Sequence, residues 1–133
     1  MLNRKDINSN LASGGTVYIV GGTGAVPAAL DQKINGKVQR LAGSNRYATN
    51  IEVLKEAGVE GEDLLIASGK GFADALSASA AKKPIFLVGA ALTADQKSYL
   101  DTNAKITSGK IYIIGGTGVI SDATAERITG GTE

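Results

Sequence analysis

Apolar positions along this chain gather in five short runs: Val17-Tyr18-Ile19-Val20, Lys37 to Ala42 with Val38 and Leu41, Leu64-Leu65-Ile66, Ile85-Phe86-Leu87-Val88 and Ile111-Tyr112-Ile113-Ile114. Each is too short for a helix and stops at glycine or another small residue, and the two tyrosine-bearing runs are rich in β-branched residues, so each predicts a strand. Between them the apolar residues change to helical spacing. Val26, Leu30 and Ile34 form one such set, Tyr47, Ile51 and Leu54 a second, and Phe72, Ala75, Leu76 and Ala80 a third. Ser44 offers an N-cap and Gly58 a stop for the second helix; Thr93 and Gln96 make a capping-box pair for a fourth, running to about Asn103. Ile120, Thr124 and Ile128 mark a fifth. Strand and helix patterns alternating in this way predict an α/β fold: an open, mostly parallel sheet, right-handed crossovers, helices on both faces. Pro84 opens the fourth strand, whose continuous apolar run is of the kind covered on both sides.

One stretch occurs twice. Val17-Tyr18-Ile19-Val20-Gly21-Gly22-Thr23-Gly24 returns as Ile111-Tyr112-Ile113-Ile114-Gly115-Gly116-Thr117-Gly118, an offset of 94 residues from Tyr18 to Tyr112. Self-similarity at a fixed period is the mark of a tandem array. The expected organisation is a tail of a preceding repeat over residues 1–15, then a unit over 16–133 whose strand-glycine-helix segment appears at 16–35 and again at 110–130. That is one repeat unit plus the start of the next.

Composition narrows the chemistry. A formal charge of +1 in 133 residues gives no long-range field for nucleic acid, and only 5% of residues are aromatic, so base-stacking platforms are not expected. Cysteine and histidine are absent from the sequence, which removes thiol nucleophiles, most zinc sites and the commonest general base. No cofactor and no metal are expected. No apolar run approaches the roughly 20 residues of a membrane span, and the N-terminus has no signal-peptide core, so a secreted parent would carry its signal upstream.

All five strands run out into small residues, including Gly21-Gly22, Gly43-Ser44, Ser68-Gly69, Gly89-Ala90 and Gly115-Gly116. In a parallel sheet these turns share one edge with the helix N-termini, where backbone amides favour an anion. The plainer reading is that the glycines only permit tight turns. A dinucleotide fingerprint is not complete: Pro27 and Ser121 occupy the third glycine position, and Arg40 lies where an acid is expected. Ser68-Gly69-Lys70-Gly71 lacks the upstream glycine and the hydroxyl residue of a Walker loop. Arg46 stands in the first turn of its helix, opposing the macrodipole, and asks for a negative partner. Asp74 is one candidate, as a structural ion pair with Arg46; a bound polyanion held by Arg40, Arg46 and Lys70 together is the other. The candidate polymer-binding residues are Arg40, Ser44, Arg46, Ser68, Lys70, Gly22, Thr23, Gly116 and Thr117.

The motifs Tyr18 to Gly24 with its second copy at 112–118, Arg40-Leu-Ala-Gly-Ser-Asn-Arg-Tyr47, Ala67-Ser-Gly-Lys-Gly-Phe-Ala-Asp-Ala-Leu76 and Pro84-Ile-Phe-Leu-Val88 resemble, in order, cell-wall-binding repeat 2 of surface proteins from clostridia and related Gram-positive bacteria. The resemblance covers nearly the whole chain. It implies a non-catalytic module that anchors a surface protein outside the cell by binding anionic wall polysaccharide, with neighbouring repeats or further copies, as a dimer or trimer, for partners. Two departures stand out: the segment from Ala75 to Pro84 is short, and Pro27-Ala28 replaces the more usual Ser-Asp that the second copy keeps as Ser121-Asp122. Two other readings stay open. The chain can be part of a wall-remodelling, amidase-type hydrolase protein, with Asp74, Asp122 and Lys70 as the nearby ionisable groups, or a nucleotide- or phosphate-binding α/β domain.

Overall fold

The computed structural model describes residues 14–59, 62–71, 80, 82–102 and 110–129. Residues 1–13 of the tail expected over 1–15, and residues 72–79 of the third helix, Asp74 included, lie outside the described residues. The elements run β1 (Thr16–Val20), a 3-10 helix (Ala28–Lys33), β2 (Lys37–Leu41), α1 (Arg46–Ala57), β3 (Leu64–Ser68), β4 (Ile85–Val88), α2 (Ala94–Thr102), β5 (Ile111–Ile114) and α3 (Asp122–Ile128). The five strands fall where the apolar runs predict them.

All strand pairings are parallel, as expected, but the strands form two sheets rather than one. β1 pairs with β2, Thr16 opposite Lys37 through Val20 opposite Leu41. The other sheet has the order β4-β3-β5, with Leu65 opposite Ile85 and Leu64 opposite Ile111. One further expectation is corrected. The segment after the first glycine turn is a 3-10 helix capped by Pro27, which makes no side-chain cap hydrogen bond. The second copy has Ser121 there, whose hydroxyl accepts from the Thr124 amide, and α3 follows as a regular helix. A proline cannot supply the acceptor that a serine N-cap offers.

Alternation along the central sheet divides its side chains cleanly. Leu64 and Ile66 of β3 and Phe86 and Val88 of β4 join Ile51 and Leu54 of α1, Tyr99 and Leu100 of α2, and Ile120 and Ile128 at α3 in one buried cluster. Phe86 and Tyr99 lie with ring centroids 6.4 Å apart. The opposite face carries Leu65 and Ala67, with Ile85, Leu87 and Ile114 against them. Each fully buried Ile, Leu or Phe contributes about 1.5–3 kcal/mol of transfer free energy, so the helix-covered face is the main source of stability.

The outer edge of β4 is closed by side chains. The Asn50 carboxamide of α1 donates to the Ile85 carbonyl at 2.8 Å and accepts from the Leu87 amide at 2.9 Å. Gln96 of α2 donates to the Leu87 carbonyl at 2.6 Å, while Gln96 and Thr93 form the reciprocal capping box. Asn50 thus does for β4 what a neighbouring strand would do, and among the described residues no further strand adds there.

At the opposite end of the strands, Asp63 ties three strand starts together. Its carboxylate accepts from Lys83 Nζ at 2.6 Å and from the Lys110 amide at 2.9 Å. The hydrogen bond from Lys83, then that from the Lys110 amide, holds the Asp63 carboxyl below its ordinary value of 3.8, and the same bond raises Lys83 above 10.5.

Two outcomes follow. Asn50→Ala strips the Leu87 amide and Ile85 carbonyl of their partner and will lower unfolding free energy by about 1–3 kcal/mol in urea titrations. A depressed carboxyl stabilises the fold above its unfolded pKa and loses that contribution as pH falls through the folded one. Between about pH 5 and about pH 2 the chain will therefore lose more thermal stability than Asp63→Asn does, in parallel melts.

Candidate functional site

Helix α1 begins one residue later than the Ser44 cap expected from sequence. Asn45 is the N-cap, its side-chain oxygen accepting from the Ala48 amide at 2.9 Å, and Arg46 is the first helical residue. The first turn contains no acid. Arg46 therefore opposes the helix dipole, and among the described residues no carboxylate forms a salt bridge with it. Its guanidinium donates to the Gly69 carbonyl, which tethers the start of α1 to the turn after β3.

Beside this helix start lies an open groove of about 500 Å³, between the end of β1, the β2–α1 turn and β4. Val20, Val53 and Leu87 give it an apolar floor; Gly22, Asn45 and Arg46 line its polar side. A second cleft of about 420 Å³ lies across Gly43, which lines both, and brings Ser44 together with Glu52, Lys55 and Asp95.

The structure brings only part of the predicted set together. Gly22 and Arg46 share the first groove and Ser44 lines the second. Thr23 is exposed on the turn beyond Gly22, and Gly116 and Thr117 are exposed after β5, lining neither groove. Ser68 is buried, and its hydroxyl accepts from the Lys70 amide at 3.2 Å, with the Lys70 side chain exposed. Arg40 is engaged internally: it donates to Asp31 at 2.5 and 3.3 Å and to the Gly21 carbonyl at 2.7 Å, its side chain 16% exposed. Arg40, which sequence offered for the polyanion, is paired inside the fold with Asp31 of the 3-10 helix. Asp74 lies outside the described residues.

The strand-end glycines divide as well. The Gly21, Gly43 and Gly69 amides are already bonded, to the Leu41 carbonyl, the Thr49 hydroxyl and the Val88 carbonyl. They are not free donors for an anion. Gly69 and Gly89 instead make room for Tyr47, since a Cβ on either would come within 2.6 Å and 2.9 Å of its side chain. Sequence reasoning counted Tyr47 as one more apolar helix position; its spacing gave no sign that the ring lies against two strand-end turns. Gly21 and Gly115 have φ of 126° and 127°, a backbone that only glycine adopts without strain, and the Gly22 and Gly116 carbonyls each accept two amides from the turn that follows. The two copies of the motif fold alike.

Among the described residues no cluster of acidic side chains could hold a metal ion. Chemically, the first groove offers the Arg46 cation, the Asn45-capped start of α1 and an apolar floor, and among the described residues its lining holds no acid-base pair.

Residues 40–125 match a protein family described as cell wall binding domain 2 (CWB2). Over 108 residues the chain is 32% identical to N-acetylmuramoyl-L-alanine amidase LytC of Bacillus subtilis (strain 168), covering 77% of this chain and 21% of that protein. Among solved structures it resembles Cwp8 from Clostridium difficile, with a TM-score of 0.69 and 28% identity over 87% of this chain and 20% of that one. Cwp6 from the same organism gives a TM-score of 0.67 at 24% identity, over 86% of this chain and 19% of that one, a likeness of fold alone. The chain spans about a fifth of the length of these relatives.

Gly69→Ala will drive a methyl group into Tyr47 and destabilise the fold by about 1–3 kcal/mol, as overpacking does. Gly22→Ala, whose Cβ would meet nothing within 4 Å, will stay within about 0.5 kcal/mol of the parent in the same denaturant titration.

Proposed function

Because the chain belongs to the cell wall binding domain 2 family, we propose that it is a non-catalytic module that holds a surface protein to the wall by binding anionic polysaccharide in the groove at the start of α1. The observation that carries this reading is Arg46. It is exposed, stands in a first turn that holds no acid, has no carboxylate partner among the described residues and lines an open groove, so a polymer phosphate or carboxylate there would meet a positive charge at a helix start. The apolar floor of Val20, Val53 and Leu87 suits the carbon face of a sugar ring. A net charge of +1 supports selectivity, since it does not attract polyanions indiscriminately. The protein of which this is a part works outside the cell, at the wall surface.

The amidase-type reading draws on LytC, but the match covers 21% of that protein. Zinc amidases typically hold their metal with histidine, and this sequence has none. A nucleotide-binding reading is disfavoured by the strand-end amides of Gly21, Gly43 and Gly69, which are spent inside the fold.

Purified Gram-positive walls will pellet with the chain, and walls stripped of anionic polymer by acid will not. Arg46→Ala will weaken that retention several-fold, and will also lower unfolding free energy by about 1 kcal/mol or more through loss of the bond to the Gly69 carbonyl. Arg40→Ala will lower unfolding free energy by about 1–2 kcal/mol, by breaking the partly buried pair with Asp31. Equal binding to stripped walls defeats the polymer reading, and release of soluble wall fragments by the chain alone favours the hydrolase.

A further inference from the structure

The two copies of the glycine-motif strand are paired on opposite edges. In β1, the Gly21 amide donates to the Leu41 carbonyl at 2.9 Å. The amide and carbonyl of one strand residue point the same way, and direction alternates along the strand. Val17, Ile19 and Gly21 therefore face β2, and Thr16, Tyr18 and Val20 face outward. In β5, the Lys110 carbonyl accepts from the Leu64 amide at 2.9 Å. Lys110, Tyr112 and Ile114 therefore face β3, and Ile111, Ile113 and Gly115 face outward. With the 94-residue offset, the residues that β5 turns toward β3 are those that β1 leaves without a strand partner among the described residues, and the residues that β1 turns toward β2 are those that β5 leaves so.

Handedness gives the same answer. α2 and α3 lie on one side of the sheet, joined by the Arg127–Asp101 ion pair and by Tyr99, Leu100, Ile120 and Ile128 of one cluster. A right-handed connection from β4 past β3 to β5 fixes the direction of progress across the sheet, and a right-handed connection onward from β5 through α3 ends beyond the outer edge of β5. That is the edge corresponding to the one on which β1 receives β2. The opposite edge of this sheet is sealed by Asn50 and Gln96.

We propose that the glycine-motif strand is the joint between units of this kind, inserted between β3 of one unit and β2 of the next. The occupant of the bare edge of β5 is the Lys37–Leu41 strand of a second copy of the unit, with Val38 opposite Ile111 and Leu41 opposite Ile114. The result is a continuous four-stranded sheet, β4-β3-β5-β2, spanning two units. The bare edge of β1 is the same joint seen from the other side, receiving Leu64–Ala67 of another unit in the register that β5 shows. The proposal does not depend on the wall-polymer reading.

Amide hydrogen exchange tests it in two chains. In the chain as it stands, Ile19 and Gly21 will exchange at least about tenfold more slowly than Tyr18 and Val20, and Tyr112 and Ile114 more slowly than Ile113 and Gly115. In a two-unit chain, residues 1–109 followed by 16–133 of a second copy, Tyr18, Ile19 and Val20 of the shared strand will all be slow. Persisting alternation along that strand overturns the proposal. So does a two-unit chain that fails to fold, because a period joined at its own joint must fold. A proline tolerated only where the amide is bare gives an independent reading: Ile113→Pro will leave the present chain folded and Tyr112→Pro will detach β5. Equal damage from both defeats the edge assignment.

Discussion

The carboxamide of Asn50 fixes where α1 can lie. By donating to Ile85 and accepting from Leu87 it locks the middle of the helix to the edge of β4, and everything N-terminal to it is placed by helix geometry. One turn back, Arg46 reaches the Gly69 carbonyl and Tyr47 fills the space left by Gly69 and Gly89. On the same helix, Ile51 and Leu54 enter the core. The fit is tight, since even a Cβ at Gly69 or Gly89 would come within 2.6 Å or 2.9 Å of the Tyr47 side chain. The bond sits in a half-buried setting, where leaving two backbone groups unpaired costs more than the bond itself gains.

Glycine at the strand ends has two causes here. At Gly21 and Gly115 the cause is backbone conformation, and the two motif copies repeat it to within one degree in φ. At Gly69 and Gly89 the cause is a neighbour, the Tyr47 ring. An anion cradle would need free amides, and those of Gly21, Gly43 and Gly69 are bonded within the fold. The charge that the groove offers therefore comes from a side chain and a helix start rather than from a glycine nest, which is compatible with a ligand lying along the surface rather than one phosphate swallowed by a loop.

Most of the fold was legible in the sequence, because strands of four or five residues bounded by glycine leave little freedom of assignment. The Thr93–Gln96 capping box is present as read, and so is the stop at Gly58. The site was less legible. Arg40 and Arg46 lie in one motif with similar surroundings in sequence, yet only the fold brings Asp31 to Arg40, across a 3-10 helix that periodicity read as α. Asn45 displaced Ser44 as the cap, a choice between two good cap residues that sequence alone does not decide. Asn50 gave no signal at all, since a polar residue on a helix reads as solvated until the strand it faces is known.

The asymmetry of the sheet edges has a consequence for any array built from this unit. An edge sealed on one side by Asn50 and Gln96 and bare on the other can grow in one direction only. Each addition joins two different surfaces, so the contact is heterologous, and such contacts either close into a ring or continue as a filament. The strand that makes the joint is apolar, with Tyr18, Val20, Tyr112 and Ile113 among the exposed large hydrophobic residues, so an unfilled joint is costly in water. A closed ring fills every joint and leaves only the sealed β4 edges outward, whereas a linear array leaves one bare strand at each end. Edge chemistry therefore favours closure, and a closed set of units would carry its α1 grooves at regular intervals around the ring.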